Sequence, residues 1–224
     1  MSITAPPPRG FIYSWIDTGL PGARKMTIAS TDYTAAENYS EAPTWLGLVN
    51  TAISAGGHGL TFSTTTGLCT LTLGSATTCE WADRTGFLCG FDRDPTTIES
   101  FTTLTSRVIP PAMVWLVGAI WEEIELRTDR ELEIVRHRRG YGYRFGGNRV
   151  YRLIATMHRD ALVAFDKGWS STGKITIYTG DATELSGSNN DGKITGHVLA
   201  VEDISWIDPV AEYAEITMLL ARAR

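Results

Sequence analysis

Apolar and polar residues change period several times along this chain of 224 residues. The first clear run is Phe11-Ile12-Tyr13-Ser14-Trp15-Ile16-Asp17, rich in β-formers and stopped by Gly19 and Pro21-Gly22. It predicts a strand. Residues 25–30 predict a second. From Pro43 to about residue 55 the spacing becomes helical. Trp45, Leu48, Val49, Ala52 and Ile53 fall on one face, as a 3.6-residue period requires. Pro43 suits the first turn, and Gly56-Gly57 suits the end. Residues 60–65 and 67–73 then alternate across a Thr-Gly turn, which predicts a hairpin. The helix face is expected to pack on this hairpin and on Phe87 and Phe91. Replacing Leu48 by Ala is then expected to cost about 2–5 kcal/mol, as for a buried leucine.

The second half reads as strands joined by polar or glycine-rich stretches. Residues 100–109 are Thr-rich and extended. Residues 112–117 predict a buried strand, 120–126 another, and 132–135 the start of one that runs into a Gly-rich tip at 140–147. Residues 150–157 return from it. Residues 161–169 are short and helical in spacing, 173–178 form a strand, and 183–192 form a polar loop. Two strands, 193–202 and 211–221, close the chain. The expected fold is mainly β, of the α+β kind. A β-sandwich-like C-terminal unit joins a small helix-and-hairpin module. The expected division is an N-terminal arm with the first strand over 1–24, the helix-plus-hairpin module over 25–105, and the β-sandwich-like unit over 106–224. The first strand could join either sheet.

Composition changes this picture little. A charged share of 20% and a hydrophobic share of 43% are ordinary for a globular chain. The net charge of -5 gives no global pull towards nucleic acid or anionic membrane. No apolar run approaches the roughly 20 residues that span a bilayer. The proline-rich start lacks the regions of a signal peptide, so folding in a cytoplasm is expected. Cys69, Cys79 and Cys89 sit ten apart. No CxxC or paired histidine accompanies them, which argues against zinc. Cys69 and Cys79 could face each other on neighbouring strands, but the expected state is three buried thiols.

Candidate chemistry is sparse. No GxSxG elbow and no phosphate-binding glycine loop is present. His58 follows a helix end and reads as a loop residue. His137, His158 and His197 stand alone on strands. Asp92-Arg93-Asp94 is only a fragment of a calcium loop. Glu122, Glu123 and Glu125 read as a solvated strand face. The expectation is therefore a non-enzyme with no cofactor, no metal and no membrane partner.

One charge pattern does carry weight. Between residues 134 and 159 stand seven arginines and no acid. The candidate surface is Arg136, Arg138, Arg139, Tyr141, Tyr143, Arg144, Phe145, Arg149, Tyr151 and Arg152. Interleaved cations and aromatics suit nucleic acid. They equally suit a subunit interface, where Arg and Tyr are enriched. The acidic global charge and the absence of lysine favour the interface. Glu122, Glu123, Glu125, Asp129, Glu131 and Glu133 are acids that a neighbouring subunit could offer.

These features add up to a resemblance. The order runs Tyr33, a helix with Leu46 and Ile53, Leu60-Thr61-Phe62, Thr66-Gly67, Leu71, Trp81, then Leu88-Cys89-Gly90-Phe91. It resembles a module common in structural proteins of tailed bacteriophages. A leucine-leucine-glycine-phenylalanine element closes that module, and here a cysteine replaces its second leucine. Residues 149–157, 165–169, 175–181 and 198–220 look like the corresponding parts of distal-tail or baseplate proteins. The resemblance implies a virion protein, made in the host cytoplasm, that assembles with itself in a ring, expected as a hexamer. It implies contacts with other tail proteins and a passing contact with phage DNA in the tube. The alternatives are a head-tail connector or capsid decoration protein and, from another class, a carbohydrate-binding receptor module. For the last, Trp15, Trp45 and Trp115 stand in apolar surroundings and read as core.

Overall fold

The computed structural model describes residues 10–19, 22–81, 83–91, 93–94, 98–125, 149–169, 174–179, 193–207 and 212–222. The expected arm at 1–9, the strand at 132–135, the tip at 140–147 and the loop at 183–192 lie outside these residues. The fold is mainly β, with two antiparallel sheets and short helices.

The apolar run at the start becomes β1 (Gly10–Asp17). Six of its eight residues are buried, all but Trp15 and Asp17, so both of its faces are covered. It joins the larger sheet, where it pairs with β11 (Lys174–Thr179) on one side. On its other side lie β8 (Met113–Leu116) and the short β4 (Tyr39–Glu41). From β11 the sheet continues through β12 (Lys193–Trp206), β13 (Tyr213–Arg222) and β10 (Arg149–His158) to β9 (Gly118–Glu125). β8 and β9 are separated only by Val117, whose N–H donates to the Thr156 carbonyl. The stretch 113–125 thus pairs with β1 in its first part and with β10 in its second. It ties the two ends of the strand order together.

The smaller sheet has the order β3 (Thr31–Thr34), β2 (Lys25–Ile28), β6 (Leu68–Glu80), β5 (Gly59–Ser63), with β7 (Ile98–Thr105) also on β6. The hairpin is the one the alternation predicts: Cys69, Leu71 and Leu73 are buried. β6 runs seven residues further than expected, to Glu80. A register shift between Thr72 and Thr77 carries it past the polar Gly74-Ser75-Ala76 stretch, as a bulge allows. The two sheets touch through aromatic rings. Phe11 of β1 meets Phe62 of β5 edge-on at 5.6 Å.

The helix α1 (Ala42–Ser54) matches its prediction in position but not fully in facing. Ala42, Trp45, Leu46, Val49 and Ile53 are buried, while Leu48 and Ala52 are half-buried. At 3.6 residues per turn Leu48 lies about 120° round the helix from Ala42. The buried stripe is therefore rotated towards Leu46. Ile53→Ala should cost about 2–5 kcal/mol and Leu48→Ala clearly less. Urea unfolding of the two variants checks the order, and equal losses would contradict the rotated stripe.

Phe87 corrects a second expectation. It lies in α2 (Arg84–Leu88) and is 36% exposed, whereas Phe91 is 1% exposed. Phe91 packs on Trp81 with ring centroids 5.1 Å apart. Phe87 instead faces a small open cleft of about 240 Å³, with Leu68, Val108, Ile109 and Val163 around it. Val163 belongs to α3 (Arg159–Trp169), the second predicted helix.

All three thiols are free and buried. The thiol of Cys69 lies beside that of Cys89, so the fold does not use the facing of Cys69 and Cys79 that the sequence left possible. Burial, then the nearby Glu80 and Glu99 charges, push the Cys79 thiol from 9.0 up to about 12. A thiol raised in the fold stabilises only while neutral. Its contribution is complete below pH 9.0 and is lost as pH climbs towards 12. The thermal midpoint should fall across that window, and Cys79→Ala should flatten part of the fall. A midpoint identical for both proteins across it would contradict a thiol held neutral.

Candidate functional site

The arginine–tyrosine candidate sits on the β9–β10 pair. Arg136, Arg138, Arg139, Tyr141, Tyr143, Arg144 and Phe145 lie outside the described residues. The three that follow do not behave alike. Side chains alternate along β10, as a two-residue period demands. Tyr151, Leu153, Ala155 and Met157 are buried, while Arg152, Ile154, Thr156 and His158 are half-buried. Tyr151 is thus a core residue, 7% exposed, and not a surface contact. The odd-numbered side of β10 faces inward, which the arginine count alone could not show. Arg152 stays on the outer side, where its Nε lies 3.3 Å from a Glu202 carboxylate oxygen. Both side chains are reached by solvent, so the pair is worth only about 0.2–1 kcal/mol.

The register changes the role of the nearby acids. Glu125 stands opposite Arg149, Glu123 opposite Tyr151, and Glu122 opposite Arg152. Acids expected to serve a neighbouring subunit are therefore placed across the ladder from arginines of the same chain. Asp129, Glu131 and Glu133 lie outside the described residues.

The sequence holds a further acidic stretch near its C-terminal end. Residues 198–221 hold Glu202, Asp203, Asp208, Glu212 and Glu215 with no lysine or arginine. Within it Ile204, Trp206 and Ile207 are 45%, 47% and 56% exposed. The signal was an acid run interleaved with large apolar residues beyond the length a covered strand needs.

A third cluster lies where β1, β4 and β11 meet. Trp15 is half-buried rather than core, unlike Trp45 and Trp115. Its ring lies 5.3 Å from that of Tyr39, and the Lys174 ammonium stands 3.3 Å from its centroid. Trp15 Nε1–H donates to Thr176 Oγ1 at 2.9 Å. The Thr176 hydroxyl and the Tyr178 hydroxyl both donate to the Glu41 carboxylate, at 3.2 and 3.0 Å. Burial lowers the Lys174 pKa, partly offset by Glu41. Burial and the Lys174 charge lower that of His197. The Trp15 face on which a sugar ring would stack is covered by the lysine, and the polar groups satisfy one another. This cluster ties three strands together.

The described histidines make separate contacts, and His137 lies outside the described residues. His58 accepts from the Gly74 N–H at 3.2 Å and meets Tyr33 edge-on, as a loop residue does. His158 accepts from the Asp160 N–H at the start of α3. Among the described residues no group of three His, Cys, Asp or Glu side chains is placed to hold a metal ion. Among them, too, no helix is long and apolar enough to cross a membrane.

Compared with family models, with curated proteins and with solved structures, the chain finds no match in any of the three.

Proposed function

We propose that this chain is a structural subunit of a bacteriophage tail, forming a ring at or near the end of the tail tube. The observation that supports this best is where the arginine–tyrosine segment is rooted. It leaves the larger sheet at Glu125 and rejoins it at Arg149, opposite each other in register. Behind that root, β10 is paired along its length with β13. A segment dense in Arg and Tyr, anchored on a packed sheet, suits a contact with another protein chain. The sequence resemblance supplies the kind of assembly. The partners under this reading are copies of the chain itself and other tail proteins, with duplex DNA passing the basic segment in the tube.

Light scattering on the purified chain over a range of concentrations tests the reading, with negative-stain microscopy of the largest species. The expected result is a closed ring of six. A monomer at every concentration would overturn it. If the chain instead binds duplex DNA with a steep salt dependence and never self-associates, the nucleic-acid reading replaces it.

A further inference from the structure

We infer that the far end of the β12–β13 ribbon is the docking site for the arginine–tyrosine segment of a second copy of this chain. Copies then join head to tail. The inference rests on the ring reading above and names the two surfaces that would meet.

The first observation is an open sheet edge. β11 pairs with β12 only where Lys174 to Tyr178 stand opposite His197 to Lys193. Among the described residues, β12 from Val198 onward pairs with β13 alone. Register shifts interrupt that ribbon before Asp203, after which it is regular through Trp206. A regular strand paired on one side presents N–H and C=O groups that can template a further strand.

The second observation is chemical, and it differs between the two faces. Ile204 stands opposite the buried Ile216, and Trp206 opposite the buried Ala214. The core face of β13 therefore extends onto β12 as exposed apolar surface. Asp203 stands opposite Thr217, and Ser205 opposite Glu215, so the other face carries the acids. Single exposed apolar residues are ordinary. Ile204 and Trp206 on one face of a regular open edge, with Ile207 exposed just beyond it, form apolar surface that calls for a partner.

The third observation is a matching sequence. Tyr141, Tyr143 and Phe145 recur at every second position, and Arg136, Arg138 and Arg144, though not Arg139, share the other parity. A strand of that sequence added at the edge would put its aromatic side with Ile204 and Trp206. Its arginines would fall on the side of Asp203 and Glu215. Main-chain hydrogen bonds would supply affinity and the alternating side chains specificity. The charges are complementary at the scale of whole segments: four arginines and no acid over 136–147, against five acids and no lysine or arginine over 198–221, of which Glu202 already pairs with Arg152 within the chain.

The fourth observation favours a contact between chains over one within the chain. Val150 stands opposite Ala221, while His158 stands opposite Tyr213, next to the Ala214–Trp206 pair. The root of the arginine segment and the apolar patch thus lie at opposite ends of the same strands. At about 3.3 Å per residue they are roughly 25 Å apart. A surface at one end and its complement at the other make a heterologous contact, which closes into a ring when its rotation allows.

Two variants of the full chain test this. Ile204→Lys with Trp206→Ser removes the patch and keeps the segment. Arg138→Glu with Arg144→Glu removes the segment and keeps the patch. Each alone should stay monomeric in light scattering under conditions where the wild type assembles. Mixed in equal amounts they should form a species of twice the monomer mass and nothing larger, since each pair has one intact contact. If the patch variant does not fold by circular dichroism, Asp203→Arg with Glu215→Arg takes its place. A patch variant that assembles like the wild type overturns the inference and leaves the ring reading standing. So does a mixture of folded variants that stays monomeric. A wild type that never assembles removes the ring reading itself and this inference with it.

Discussion

Gly90→Ala should destabilise the protein by about 2–6 kcal/mol. Gly90 has φ +77°, in the left-handed region. Its N–H donates to the Phe87 carbonyl, and its own carbonyl accepts from Val108 N–H at 3.4 Å. A Cβ there would strike the Val108 carbonyl oxygen and come within 3.1 Å of the Pro110 nitrogen. Both are backbone atoms on a segment pinned by proline, and neither can rotate away. Left-handed backbone in a non-glycine residue costs about 1–3 kcal/mol, and overpacking a tight site about 1–3 more. Gly47→Ala is the control. Gly47 lies within α1 with nothing within 4 Å of the new Cβ, so that change should stabilise by about 0.5–1 kcal/mol. Denaturant unfolding of both variants gives the comparison. A loss at Gly90 no larger than about 0.5 kcal/mol would mean that the 108–110 segment does not close on it.

Trp45→Ala should have an effect of similar size for a different reason. Trp45 is the largest fully buried side chain among the described residues, and its Nε1–H donates to the Ala23 carbonyl at 2.6 Å. Truncating a buried Trp costs about 3–5 kcal/mol in transfer and cavity energy. The Ala23 carbonyl is left without its donor, which adds about 1–3 kcal/mol. Trp45→Phe keeps most of the volume and loses the donor, so the difference between the two variants separates packing from hydrogen bonding. Equal losses for Phe and Ala would assign the whole effect to the hydrogen bond. A Phe variant as stable as the wild type would show that the bond contributes nothing.

The elements of this fold were legible in the sequence wherever one face alone is buried. Alternation marked the 60–73 hairpin, and helical spacing marked α1 and α3. Misses arose where a distant segment decided the environment. Leu48 belongs to the helical face by spacing, yet the neighbours of α1 cover the side bearing Leu46. Phe87 sits in an apolar closing element, yet faces a cleft. Trp15 lies in the most apolar run of the first 30 residues, yet its ring ends under Lys174, which comes from residue 174 and could not be foreseen from local pattern. The candidate surface was half legible. The arginine count marked the segment, but only the register shows that Tyr151 turns inward and that Glu122 and Glu125 lie across from arginines of the same chain. The patch at 204–207 needed the strand pairing to show that β12 outlasts β11.

The pairing of β1 with β11 has a consequence for the order of events on the ribosome. Trp15 and Thr176, hydrogen-bonded in the finished sheet, are 161 residues apart. At about 5–20 residues per second, β1 waits roughly 8 to 30 seconds for that partner to be made. In the interval it can be held by β4 and then by β8, both synthesised earlier. The arginine segment is made before residues 198–221, so each new chain carries its basic stretch before the acidic one it is proposed to meet. On the proposed head-to-tail scheme, a nascent chain can seize a finished neighbour but cannot itself be seized until its last two strands are in place.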